Sequence, residues 1–142
     1  MFKFHPVLAS MALAVLLPVV ASAQHKGDEK MMKKCAQVCS ATQIECDSCF
    51  VHCLQLVADG KTEHKVTAQL CADCAECCKA CATLCARNSP LAKHMLECCA
   101  KCCDECAKAC EKFPKDEQMV ACAKSCRDCA KSCLEMSKHE HK

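Results

Sequence analysis

Aromatic residues are almost missing from this chain. Its 142 residues include no tryptophan and no tyrosine, and of four phenylalanines only Phe50 and Phe113 lie past residue 30. There is no basic block either, and 19 basic residues nearly balance 17 acidic ones, so neither a stacking platform nor a charged track for nucleic acid is present. Glycine and proline are equally scarce: past residue 30 only Gly60, Pro90 and Pro114 occur. That excludes a loop-rich or low-complexity chain. Beyond the first 23 residues no sustained apolar run occurs, so no membrane span is expected. Large aliphatic residues are few. A domain of this length still needs an interior, and cysteine, with 21 residues, is numerous enough to line one.

The first residues read as an export signal. Residues 1–6 carry one positive charge at Lys3, residues 7–20 are almost wholly apolar, and Ala21, Ser22 and Ala23 precede Gln24. A basic start, an apolar stretch and small residues two apart form a secretory signal cut after Ala23. No twin arginine is present. The expectation is a signal peptide over 1–23 and one exported domain over 24–142, periplasmic or extracellular and free of the membrane after cleavage.

The rare breakers divide the remainder almost evenly. Gly60 stops one segment and Thr62 caps the next; Asn88 or Ser89 caps a third, with Pro90 in its first turn; Pro114 separates the third from a fourth that opens on acidic residues. Alanine, lysine, glutamate and leucine fill the intervals, all good helix formers. The breaks predict helices over 29–58, 62–87, 90–112 and 115–138. Short connections make neighbours antiparallel, so the fold class is all-α, an antiparallel up-down four-helix bundle.

Stepping about 100° per residue places the thiols on these helices. Cys35, Cys39, Cys46, Cys49 and Cys53 fall within about 80° on the first; Cys71, Cys74, Cys77, Cys78, Cys81 and Cys85 within about 120° on the second. On the third, Cys99, Cys102, Cys103, Cys106 and Cys110 span about 100°, with Cys98 outside. On the fourth, Cys122, Cys126, Cys129 and Cys133 span about 60°. The cysteine stripe stands where leucine stands in an ordinary bundle, giving a cysteine-lined core. His52 and His94 fall off the stripe and are expected in solvent, while His139 and His141 sit in a polar tail.

Three chemistries compete for these thiols. Small hydrophobic filler suits one or two cysteines, not twenty readily oxidised ones. A disulfide scaffold is the default for an exported chain. However, Cβ atoms three or four residues apart on a helix are about 5–6 Å apart, too far for unstrained bridges. Soft-metal binding remains. Zinc favours closed tetrahedral groups and iron–sulfur clusters need looped ligands. Cu(I) accepts two sulfurs nearly in line, and one Cu(I) per thiolate, roughly 20 per chain, would bring the core close to neutral. A zinc or general thiophilic-metal buffer of metallothionein kind and a disulfide-stapled structural or interaction protein stay as alternatives. No cysteine is singled out as a nucleophile, so no enzyme is expected.

The repeated CxxxC spacing, LCADCAECC after a histidine-bearing turn, NSPLAKHMLECCAKCCDEC and CEKFPKDEQMVACAKSCRDCAKSC resemble the copper storage proteins over residues 31–136. The resemblance implies a bundle holding many Cu(I) ions in its bore, often a homo-tetramer, that stores or sequesters copper without catalysis and exchanges it with a donor or acceptor protein. It also implies filling and emptying from one end through His64 and Met119, with Cys53, Cys71, Cys110 and Cys122 behind them. Helical placement offers a second candidate end. Met32, Met95 and Met136 face inward there beside Cys35, Cys85, Cys99 and Cys133, either as soft ligands or as a hydrophobic plug.

Overall fold

The computed structural model describes residues 18–139, with side chains from residue 27 onward. The side chains around the expected cleavage point, Ala21 to Gln24, and the tail residue His141 lie outside the described residues, as does most of the expected signal segment. Four α-helices follow in chain order: α1 Pro18–Ala58, α2 Lys65–Ala86, α3 Ala92–Cys110 and α4 Glu117–His139. A 3-10 turn, Thr62–His64, leads into α2. Helix α1 packs on α2 and α4, and α3 on the same two, while the diagonal pairs make no close backbone approach among the described residues. This is the expected four-helix bundle around one central bore.

The connections explain the shifted helix ends. At the end of α1, Gly60 adopts φ 88°, its N–H donates to the Val57 carbonyl at 3.0 Å, and the Lys61 N–H donates to Leu56 at 2.9 Å. These bonds satisfy carbonyls that the last turn would leave unpaired, in a left-handed cap. Asn88, at φ 49°, repeats the device after α2, donating to Cys85 at 3.0 Å while Ser89 donates to Leu84 at 3.0 Å. Thr62 therefore opens a 3-10 turn rather than capping a helix, and no side chain caps that turn. Pro90 lies ahead of α3, which begins only at Ala92, because the turn from Asn88 consumes those residues. Asp116 caps α4: its Oδ1 accepts from the backbone N–H groups of Gln118 at 3.1 Å and Met119 at 3.2 Å.

Alanines beside the thiols set the helix spacing. Ala36 on α1, Ala68, Ala75 and Ala82 on α2, Ala100 and Ala107 on α3, and Ala123 and Ala130 on α4 are all buried. Such small side chains let helices approach closely. Large buried side chains are confined to the ends of the bore: Met119 at the end carrying the α1–α2 and α3–α4 connections, Met32, Leu96 and Met136 toward the other. On the outside, Arg127 of α4 clasps α3, donating to both carboxylate oxygens of Glu111 at 2.8 Å and also to Asp104. Among the described residues no helix is long and apolar enough to cross a membrane.

Candidate metal centre

All 21 cysteines are free thiols, and 18 of them are buried. Helix α1 contributes Cys35, Cys39, Cys46, Cys49 and Cys53; α2 contributes Cys71, Cys74, Cys78, Cys81 and Cys85; α3 contributes Cys99, Cys103, Cys106 and Cys110; α4 contributes Cys122, Cys126, Cys129 and Cys133. Spacings of three, four and seven keep each set on one face of its helix. Across the α1–α4 side the sulfurs of Cys46 and Cys126 are 3.5 Å apart, Cys39 and Cys129 3.6 Å, and Cys35 and Cys133 4.0 Å. Across the α2–α3 side, Cys74 and Cys103 are 3.6 Å apart, Cys78 and Cys99 3.8 Å, and Cys71 and Cys110 3.9 Å. Along single helices, Cys74–Cys78, Cys81–Cys85 and Cys99–Cys103 each lie at 4.0 Å. These separations far exceed the about 2.05 Å of a disulfide. A thiophilic ion with bonds of about 2.3 Å joins sulfurs up to about 4.6 Å apart.

The thiols group into overlapping sets whose sulfurs all lie within 4.8 Å of one another. One is Cys39, Cys99, Cys129 and Cys133; a second, Cys78, Cys99, Cys103 and Cys129, shares two members with it. A third, Cys46, Cys106, Cys122 and Cys126, shares Cys122 with the fourth, Cys49, Cys71, Cys110 and Cys122. Closed zinc sites use four private ligands. Sulfurs shared between adjacent sets suit ions that accept bridging thiolates, the soft preference of Cu(I).

Crowding makes neighbouring thiols diverge in acidity. Cys39 is pushed above the ordinary thiol range, first by Cys129, and Cys103 likewise by Cys126, with burial adding to both. Their neighbours Cys122 and Cys129 are held low, first by hydrogen bonds from Cys106 and Cys103 respectively. Near the connections, Cys53 is drawn down to about 4 by Cys49 and Cys71, against burial, with smaller electrostatic help from His64 and His52. Cys110 is drawn down to about 5, chiefly by Cys106. Thiols held low and thiols pushed up by their neighbours thus stand side by side through the bore.

His64 and Met119 come together at this end. The Met119 Sδ lies 3.6 Å from the Cys49 Sγ and 4.0 Å from the Cys53 Sγ. His64 is buried, stacks on Phe113 with ring centroids 4.0 Å apart, and its Nδ1 has no hydrogen-bond partner among the described residues. A cleft of about 380 Å³, lined by His64, Phe113, Pro114 and Asp116 among others, opens onto it. At the opposite end Met32 and Met136 are buried and Met95 is only partly so. A smaller cleft of about 190 Å³ there reaches Cys35 beside Met31, Met136 and His139.

Three expectations change. Cys77 and Cys102 are not in the bore: both are half-buried, their sulfurs 3.0 Å apart, and exposed Cys98 joins them. They occupied the margins of the second and third helices' arcs, where α2 and α3 meet, and a margin residue at a helix contact turns outward. His52 is not a solvated side chain either. Its Nε2 lies 2.8 Å from Asp116 Oδ2, tying α1 to the start of α4. Burial tends to raise the Asp116 carboxyl, but His52 and the Met119 and Gln118 N–H groups hold it below the usual carboxylate range. His94 is exposed, as expected. Sequence reasoning missed Thr42, which stands in the cysteine arc of α1, is buried, and pairs its hydroxyl with Ser125 of α4 at 2.9 Å. Its position seven residues from both Cys35 and Cys49 was the available signal.

The family model described as Csp, copper storage protein, matches residues 28–138. No curated protein matches the sequence. Among solved structures, the Cu(I)-bound copper storage protein BsCsp3 is similar at 27% identity and TM-score 0.70, over 75% of this chain and 98% of that one. A cytosolic copper storage protein from Streptomyces lividans, described with five coppers, is similar at 27% identity and TM-score 0.71, over 80% and 97%. A protein of Nitrosospira multiformis is similar at 27% identity and TM-score 0.66, over 77% and 96%. The cytosolic description of the Streptomyces lividans relative corrects the expected export to the periplasm or beyond. A short apolar run followed by small residues does not fix a compartment, and α1 continues from Pro18 through Ala23 and Gln24 without a break. Twenty-one free thiols also suit a reducing environment, where glutathione opposes oxidation. With the family model spanning most of its length, the chain belongs to the copper storage protein family.

Proposed function

We propose that this chain binds and stores many Cu(I) ions on the thiolates of its bore and carries out no catalysis. The observation that carries the reading is the 18 buried free thiols, 13 of which fall in four-sulfur sets that share members with a neighbouring set. The domain over 24–142 is the storage unit. Its ligands are Cys35, Cys39, Cys46, Cys49, Cys53, Cys71, Cys74, Cys78, Cys81, Cys85, Cys99, Cys103, Cys106, Cys110, Cys122, Cys126, Cys129 and Cys133. Each bound Cu(I) cancels one thiolate charge, so near-neutrality of the bore sets the capacity at about 18 ions, one for each buried thiol. Titration of anaerobic, reduced protein against a competing Cu(I) chelator tests this. Uptake far beyond about four equivalents, the limit of isolated four-sulfur sites, is expected; saturation at a few, or stronger uptake of Zn(II), refutes it.

Copper loads and leaves at the end carrying His64 and Met119. The unpartnered His64 Nδ1, the thioether against Cys49 and Cys53, and the wider cleft support that end over the methionine-plugged one. Replacing both His64 and Met119 with Leu should slow Cu(I) uptake and removal by about tenfold or more, a barrier change of about 1.4 kcal/mol, with final capacity nearly intact. Stopped-flow uptake reads this directly. A rate defect confined to a Met32, Met95 and Met136 triple variant would move the loading end to the chain termini. A donor or acceptor protein is the partner at this end. Assembly into a homo-tetramer is supported by the exposed Ile44 and Val51 of α1 and Val66 of α2.

A further inference from the structure

Three times in this chain two cysteines stand side by side: Cys77–Cys78, Cys98–Cys99 and Cys102–Cys103. Adjacent residues on a helix diverge by about 100°, so a doublet cannot turn both thiols into one narrow bore. In each doublet the second cysteine is fully buried, and Cys78, Cys99 and Cys103 belong together in one bore set with Cys129. The first cysteine of each lies outside that set: Cys77 and Cys102 half-buried and Cys98 exposed. Unrelated outward cysteines on two helices would be scattered. These converge, with all three sulfurs within 4.8 Å of one another and those of Cys77 and Cys102 only 3.0 Å apart.

We propose that Cys77, Cys98 and Cys102 form a separate three-thiolate site for one Cu(I) ion on the outer face of the α2–α3 seam, open to direct exchange with a thiol-bearing copper carrier. Three soft sulfurs with no oxygen or nitrogen ligand in the set match the coordination that Cu(I) accepts. Zinc would require a fourth ligand to close a structural site. Binding needs no oxidant or reductant: the ion arrives as Cu(I) on the carrier's thiolate, the protein thiols take its place, and their protons pass to solvent and to the released carrier. The exposed Cys98 is the thiol a carrier reaches first, and Cys77 and Cys102 complete the site behind it. The site is distinct from the bore and does not require copper to traverse either end of it.

The test compares the full-length wild-type protein with a Cys77→Ser, Cys98→Ser, Cys102→Ser triple variant, both anaerobic, reduced and loaded with Cu(I). A chelator fixed to beads, which cannot enter the bundle, should strip about one equivalent rapidly from the wild type and none from the variant, whose total capacity falls by about one. The exposed single change Cys98→Ser, which leaves helix packing untouched, should weaken the rapid equivalent by at least about 100-fold. Losing a ligand exceeds the about 10–100-fold cost of losing a supporting contact. Equal capacity with no rapid equivalent overturns the proposal, as does preferential Zn(II) occupancy of that site. A Cys77–Cys102 disulfide that persists in reductant, seen as a mass two units lower, also overturns it. Failure of bore storage would look different, since the large slow fraction would vanish while the single rapid equivalent remained.

Discussion

Loading with Cu(I) should raise the thermal midpoint of the reduced protein by at least about 15 °C. The metal-free interior is made of thiols and alanines, with Met32, Leu96 and Met119 the largest fully buried side chains. Thiol–thiol contacts at 3.5–4.0 Å contribute little, and cysteine fills less volume than the leucine an ordinary bundle would place there. Ions that bind only the folded bore stabilise it by mass action, about 4 kcal/mol for one site at a thousandfold excess over its dissociation constant. Two such sites supply about 8 kcal/mol, and for a domain of this size each kcal/mol moves the midpoint by about 2–8 °C. The sign with pH follows from the thiols pushed up by their neighbours, Cys39 and Cys103 among them. They are protonated in the metal-free state and must lose a proton to bind, so protons compete with copper and the gain shrinks as pH falls. Anaerobic far-ultraviolet circular dichroism, with and without copper at two pH values, measures both effects. An unchanged midpoint at full loading would mean that the ions sit outside the bore.

Removing one sulfur should cost more copper at some positions than at others. Cys122 belongs to two of the four-thiol sets and lies 4.0 Å from Cys46, so Cys122→Ala breaks a bridge between neighbouring sites. Cys85 belongs to none of these sets; its sulfur lies 4.0 Å from that of Cys81. Cys122→Ala is therefore expected to lower capacity by about two equivalents or more, and Cys85→Ala by about one, since a bridging thiolate serves two ions. Both changes delete a single sulfur, so the loss of packing is alike. Titration of the two variants side by side against the same chelator decides it. Equal losses would show that the bore holds independent sites and that sharing has no energetic weight.

The bundle and most of its thiol lining were legible because helical periodicity is a local property. Cys39, Cys46 and Cys53 lie seven apart, and no tertiary information is needed to see that they share a face. Cys77 and Cys102 failed for a complementary reason. A wheel drawn on one helix does not know how closely the next helix approaches, and these two sat at the margins of arcs of about 120° and 100°, both well wider than the about 60° arc on α4. The doublets held the correction. The His52–Asp116 pair was hidden because its members are 64 residues apart and meet only through the α1–α4 contact. Thr42 escaped notice because only residues able to bind a soft metal were placed on the wheel, although its register matches that of the cysteines. Compartment was misread because an apolar start carries an address only in the context of machinery that reads it.

The heptad register of the thiols makes capacity a matter of length. Cys71, Cys78 and Cys85 on α2, like Cys126 and Cys133 on α4, repeat every seven residues, two turns and about 10.5 Å of rise. The buried alanines at the helix contacts, Ala68, Ala75 and Ala82 on α2 and Ala123 and Ala130 on α4, keep the same repeat and fix the girth. Such a bundle behaves as a graduated cylinder. Inserting seven residues into every helix would add one further tier of thiols while leaving the cross-section, the wall and both ends as they are. Evolution or engineering can therefore scale how much the cylinder holds without redesigning how it opens.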